Sequence, residues 1–395
     1  MRKWFYIGIL GLILFEIANV YFIMPMPGSQ RMNSLQLAWN LNHWRWLFRL
    51  LFAGLTLAGL PSAWKNRRWG ARIPVGMLLG IAAAVGYLFN GPMTASTMFH
   101  EMKVKRFSPP EKNLVPEDKL IIGVEINGEA RAYAIQHVAY HHRVFDTLGN
   151  KAIMVTYCSV CRTGRVFEPV VDGVRENFRL VGMDHFNAMF EDKKTGTWWR
   201  QATGEAVAGP LKGKSLPEIP CRQMTLQQWL NMYPNSKILQ PDPAFAADYD
   251  RLKNYDRGNM KGNLTRSDTG SWNEKSWVVG VIVGSQAKAY DWNRLKKERI
   301  IQDSVAGKHI ILWISKDNKS HYVWAFPTER PFKKTTWLET EGNDLSGWEG
   351  LRISPGGEFT SLPRIPGNTF RMEPVASYQE FWHSWRTFHP ETLKY

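Results

Sequence analysis

The chain is 395 residues long, with a formal net charge of +15, 18 Trp and only 3 Cys. That length holds a membrane anchor plus one large or two small domains. Residues 1–105 hold 11 Lys and Arg against 2 Asp and Glu, a net of +9; the remainder holds 39 against 33, a net of +6. Outside the N-terminal region no dense basic run of the kind that tracks a phosphate backbone remains, so nucleic acid is excluded as an expected partner.

Three apolar stretches open the chain, at 4–26, 46–63 and 73–93. Each is close to the ~20 residues that a bilayer-spanning helix needs. Arg2, Lys3, Lys65, Arg67, Arg68 and Arg72 flank them on the side expected to be cytoplasmic, following the positive-inside rule. The 27–45 loop carries only Arg31 and Arg45, whereas Lys103, Lys105 and Arg106 weaken the asymmetry. The expectation is a three-helix membrane anchor over 1–94 with everything after it outside. Glu16 and Arg49 fall within the spans. Ionisable groups there are costly, and the simplest expectation is that Arg49 snorkels to the interface and Glu16 is protonated or paired with another helix.

After a polar link at 94–118, short apolar runs alternate with turn signals. Ile121–Ile126 and Ala130–Ile135 flank Asn127-Gly128, the signature of a type I′ hairpin. Ala152–Tyr157 and Arg165–Val171 read as strands on either side of Cys158-Ser159-Val160-Cys161. Asn177–Val181, Ala188–Glu191 and Thr197–Arg200 read as further strands, with a turn at Lys193–Gly196. Thr225–Tyr233 reads as a helix with Thr225 as N-cap and Pro234 beyond its end. Residues 241–275 have no strong period and read as a linker or long loop. The chain ends in an expected helix near Ser377–Phe388.

A long internal repeat runs through this region. Ile121–Tyr133 matches Val278–Tyr290 at an offset of 157, which also holds for Arg131/Lys288, Tyr133/Tyr290 and Asp146/Asp303. Ser215–Pro220 matches Ser361–Pro366, and Leu226–Trp229 before Tyr233-Pro234 echoes Tyr378–Trp382 before His389-Pro390. A period this long means two related halves, not a solenoid. The expected fold is α+β and β-rich: a transmembrane bundle followed by an extracytoplasmic domain of two duplicated, pseudo-symmetric halves, 115–240 and 276–395. Where the first half has its cysteines, the second reads Ser315-Lys316-Asp317-Asn318-Lys319. The fold therefore does not need the pair.

The segment Tyr157-Cys158-Ser159-Val160-Cys161-Arg162-Thr163-Gly164 through Asp172-Gly173 resembles the bacterial DUF3179 family. So do Gly123–Tyr133, Thr195–Gln201 and Thr203–Pro210. The likeness covers about 115–240 well and the second half faintly. That family's function is unknown, so the resemblance supplies no activity. Some of its members carry selenocysteine in the Cys-x-x-Cys region, which implies redox chemistry there. The resemblance also implies a bacterial host, and with the spans an inner-membrane protein whose C-terminal domain is periplasmic or extracellular.

The common hydrolase and nucleotide-binding signatures are missing. Two residues between thiols permit a dithiol, two ligands on one metal, or a short staple. Thiol–disulfide exchange is the leading expectation, with Cys158 attacking, Cys161 resolving and Arg162 or Arg165 lowering a thiol pKa. The alternative is copper or zinc held by Cys158 and Cys161 with His141, His142, His185 and Met183. The third is a non-catalytic binding domain with a structural disulfide; so short a loop gains little entropy on closure. Cys221 is expected to be a buried apolar thiol. The expected partners are the lipid bilayer and another extracytoplasmic or membrane protein.

Overall fold

A computed structural model describes residues 1–65, 69–256, 260–327, 335–340, 342–347, 350–361 and 369–395. Arg67 and Arg68, and 362–366 of the repeat match, lie outside the described residues. The architecture is α+β and β-rich, with three long apolar helices at the N-terminus. The chain divides into two compact units, Met1–His100 with Val170–Leu216, and Glu101–Pro169 with Pro217–Tyr395.

In the first unit, helices Arg2–Tyr21, Arg45–Trp64 and Trp69–Asn90 are long and apolar enough to cross a membrane. Small residues let the first two approach closely: a Cβ on Gly59 would lie 2.1 Å from the Phe5 nitrogen, and one on Gly8 2.4 Å from the Thr56 nitrogen. Such close packing is how apolar helices associate when lipid offers no hydrophobic drive. One polar cluster ties all three together. Arg49 donates to both carboxylate oxygens of Glu16, at 2.7 and 2.9 Å, and Asn90 Nδ2 donates to Glu16 Oε2 at 2.9 Å. Glu16 is thus paired with another helix, and its partner is Arg49 itself. Replacing Glu16 with alanine is expected to loosen the bundle by about 1–2 kcal/mol, read as a lower midpoint in detergent-induced unfolding.

Four antiparallel strands complete this unit, Phe178–Asp184, Asn187–Asp192, Trp198–Arg200 and Ala206–Ala208. Their buried face (Val181, Met189, Trp198, Val207, Ala208) packs on Val20, Ile23, Met24 and Ala38. The Met183 amide donates to the Ile23 carbonyl at 2.7 Å, and Trp39 Nε1 donates to the Gly196 carbonyl at 2.9 Å. Val170–Leu216, expected within the first half, therefore lies in a different compact unit from the rest of that half. Its apolar face is covered by the end of the first helix and by helix Leu35–His43.

In the second unit, Leu120–Ile126 and Glu129–Ala134 form the expected hairpin, with Asn127 at φ 53° and Gly128 at φ 84°. Helix Ile135–His141 follows, then the antiparallel strands Arg143–Leu148, Lys151–Cys158 and Thr163–Phe167. Arg222–Thr225 joins the hairpin sheet antiparallel to Leu120–Ile126, and Lys237–Leu239 joins it parallel to Glu129–Ala134. Helix Leu226–Met232 lies between them, with the Thr225 hydroxyl accepting from the Gln228 amide as the N-cap reading expects.

The same order of elements recurs further on. Hairpin Trp277–Val283 and Gln286–Asp291 leads to helix Trp292–Glu298 and strands Ile300–Val305, Lys308–Ile314 and His321–Ala325. A five-stranded antiparallel sheet follows, from Trp337–Glu339 to Phe370–Arg371. Ala376–Phe381 then pairs antiparallel with Trp277–Val283, and Leu393–Lys394 parallel with Gln286–Asp291.

One expectation needs correction. The C-terminal helix is shorter than Ser377–Phe388: strand pairing claims Ala376–Phe381, and the helix spans Trp382–Phe388. The 241–275 segment, expected as a linker or long loop, packs against the rest of the unit. It holds helix Ala246–Arg251, and it buries Phe245, Tyr249 and Tyr255 against the rest of the unit.

Candidate functional site

Cys158 ends the strand Lys151–Cys158, and Cys161 lies in the turn before Thr163–Phe167. The turn closes through the Arg162 amide, which donates to the Cys158 carbonyl at 2.8 Å with Arg162 in the left-handed region at φ 54°. This geometry aims the Cys161 amide at Cys158 Sγ, 3.4 Å away. Both side chains are fully buried, and both are thiols, with no disulfide between them. An amide pointed at a sulfur stabilises its anionic form.

The surroundings come from distant parts of the chain. Cys161 Sγ lies 3.9 Å from His383 Nε2, and His383 Nδ1 lies 2.9 Å from the Glu274 carbonyl. Lys275 Nζ donates to the carbonyls of Val160 (3.4 Å) and Leu264 (2.6 Å). Burial lowers the Lys275 pKa, while the negative forms of Cys161 and Cys158 pull it back up. Lys275 thus anchors the cysteine turn through the Val160 carbonyl. Arg162 is fully buried; it donates to the carbonyls of Tyr255 and Thr265 and stacks on the Tyr255 ring at 3.9 Å. The Tyr255 hydroxyl donates to the Ser159 carbonyl at 2.5 Å. Tyr255, Lys275 and His383 thus hold the turn. Sequence reading missed all three, because none lies within 90 residues of the thiols and 241–275 reads as a linker.

The remaining candidates do not form one ligand set with the cysteines. His141 Nε2 lies 2.6 Å from the Tyr249 hydroxyl, and the His142 ring faces its neighbour's carbonyl, Tyr140 O, at 3.4 Å. Met183 and His185 belong to the other compact unit, where His185 pairs with Asp184 at 2.6 Å. Among the described residues, no three His, Cys, Asp or Glu gather closely enough to hold a metal ion. Arg165 pairs with Glu380 at 3.1 Å, both side chains buried, and lies over the Tyr378 ring. Cys221 is apart from the pair, its thiol pushed up to about 12, by burial above all. It lines a separate cavity.

Several histidines of this unit are kept neutral. Burial lowers His137, His142, His321 and His383 to about 4, against an ordinary value near 6.5. Between those values the unfolded chain binds more protons than the folded one. The stability they contribute is therefore whole above about pH 6.5 and is lost as the pH falls toward 4. Thermal melts are expected to show a melting temperature that drops steadily through that window.

Residues 102–392 match the family model described as "Protein of unknown function (DUF3179)". That span is most of the chain, and the chain belongs to this family. The match extends well beyond 115–240, where the motifs are strongest, to residue 392. No curated protein and no solved structure matches the chain.

Proposed function

We propose that this chain is a membrane-anchored thiol–disulfide exchange protein whose Cys158–Cys161 pair is the working dithiol. The observation that carries the reading is the turn itself: two thiols on one hydrogen-bonded loop, with an amide on one sulfur and the Lys275 ammonium on the Val160 carbonyl between them. Cys158 attacks a partner disulfide and forms a mixed disulfide, expelling one partner sulfur as a thiol. Cys161 then attacks Cys158 Sγ, so that two electrons pass to the partner, which leaves as a dithiol while the pair closes. The reverse sequence oxidises a partner instead. Arg162 orders the turn, and because both sulfurs are buried, the turn held by Tyr255 and Lys275 has to open for a partner.

The internal repeat supports a local role for the pair. In our reading, 115–240 and 276–395 are duplicated, pseudo-symmetric halves. Tyr133 donates to Asp146 at 2.6 Å as Tyr290 does to Asp303 at 2.7 Å, and Arg131 and Lys288 pair with the same two carboxylates. Gly123 meets Trp229 as Gly280 meets Trp385, which sets Trp229 in register with Trp385 and not with Trp382. Gln223 and Gln379, which pair with matched Ile122 and Val279, bond to each other at 2.7 Å, as groups beside a two-fold axis do. The second half completes this scheme without thiols. With Arg2 and Lys3 on the cytoplasmic side, the three helices leave the second unit outside a bacterial inner membrane, facing an extracytoplasmic partner protein.

The test is a redox titration of the full-length protein in detergent, read by thiol trapping and mass spectrometry. The full chain is required because the Val170–Leu216 sheet packs on the N-terminal helices. A Cys158–Cys161 couple between about −120 and −270 mV supports exchange, and one that stays oxidised below about −300 mV makes it a staple. Thiols that trap normally until zinc or copper(I) is added, and then resist, favour a metal-handling site.

A further inference from the structure

A cavity of about 580 Å³ in the second unit does not contain the cysteine pair. Its volume suits a small organic ligand. Arg222, Arg371, His321 and Trp324 are among the residues that face it. Most of the charged groups on its walls are already satisfied. Lys151 pairs with Glu168 at 2.7 Å, Glu218 lies 3.6 Å from Arg165, and Glu125 accepts from the Gly128 amide at 2.7 Å.

The two guanidinium groups are different. Arg222 lies over the Trp324 ring at 4.7 Å, and neither it nor Arg371 has a carboxylate partner or a side-chain hydrogen bond among the described residues. Burial lowers the Arg222 pKa, and Arg371 lowers it further. His321, only 5% exposed, adds a ring nitrogen, Nδ1, that is buried without a hydrogen-bond partner among the described residues. Buried polar groups nearly always have partners, so one without a partner beside a cavity marks a place for a ligand atom.

We propose that this cavity binds a small organic molecule carrying one oxyanion headgroup, a carboxylate or a phosphate monoester. The headgroup sits on the Arg222 fork, the geometry that guanidinium matches in two parallel bonds. His321 supplies a further contact, and the indole walls of Trp324 and Trp229 hold an apolar body. The proposal does not rest on the redox reading, since the two sites share no residue.

Isothermal calorimetry on the full-length protein in detergent tests it, with benzoate and phenyl phosphate as probes and benzamide as the uncharged control. At least one of the two anions is expected to bind measurably tighter than benzamide. Arg222→Gln is expected to weaken that binding about tenfold to a hundredfold, the effect of losing a charged hydrogen-bonding partner. Its melting temperature without ligand should be no lower than that of the parent, because a buried cation without an ion pair is removed. If Arg222→Gln fails to fold, the exposed Arg371→Gln decides: severalfold weaker binding supports the site, and unchanged binding overturns it. Failure of both anions to bind, binding of benzamide as tight as the better-bound anion, or full binding by a folded Arg222→Gln each overturns the proposal.

Discussion

Replacing Glu380 with alanine is expected to cost the second unit about 3–5 kcal/mol, the penalty for leaving one member of a buried ion pair alone. The side chains of Arg165 and Glu380 are 2% and 1% exposed and 3.1 Å apart. They join the strand Thr163–Phe167, which follows the cysteine turn, to the strand Ala376–Phe381. Arg165 has a second acid, Glu218, at 3.6 Å, but that carboxylate is partly exposed and farther away than Glu380. The substitution is therefore expected to lower the urea midpoint strongly, whereas exposed pairs such as Arg294–Glu298 are worth a few tenths of a kcal/mol. A loss below about 1 kcal/mol would mean that the pair merely offsets its own desolvation. Because Phe381 donates its amide to the Cys161 carbonyl at 2.9 Å, the same variant is expected to speed thiol trapping at Cys158 and Cys161.

The second large effect is on exchange. The Cys158→Ala/Cys161→Ala variant is expected to lose disulfide exchange with an extracytoplasmic partner entirely while losing no more than about 1–2 kcal/mol of stability, an ordinary cost for a conservative core change. Cys161→Ala alone is expected to accumulate a mixed disulfide through Cys158, since the resolving thiol is gone, and Cys158→Ala alone is not. Reversal of that pattern would exchange the two roles. Global unfolding of the double variant would instead make the pair structural. Cys221 does not confuse the readout: with its pKa pushed up to about 12 it stays a thiol at neutral pH, and a thiol is a poor nucleophile.

Local rules carried much of the architecture. Twenty-residue apolar runs are long enough to span a bilayer, so the three helices were legible from length and hydropathy alone. Asn127-Gly128 accepts positive φ at both positions, so the hairpin was legible. Thr225 before Leu226 announced its helix because a hydroxyl there caps a backbone amide. Ala376–Phe381 was misread for the opposite reason: its partner Trp277–Val283 lies about 100 residues earlier, and cross-strand pairing overrides a local helical pattern.

By itself, the sequence determined that Cys158 and Cys161 have two residues between them, that Ser315–Lys319 has no thiol, and that the N-terminal region holds three apolar runs of helical length. Those facts follow from covalent spacing and composition, which folding does not alter. Only the tertiary structure decided what surrounds the thiols. His383 reaches Cys161 across 222 residues of chain, and Lys275 reaches the turn from a segment with no period of its own. It alone assigned Arg165 to Glu380, Glu16 to Arg49, and the Val170–Leu216 sheet to the unit of the apolar helices. Each of these is an encounter between groups far apart in sequence. Burial and charge pairing select such encounters, and neither leaves a periodic trace along the chain.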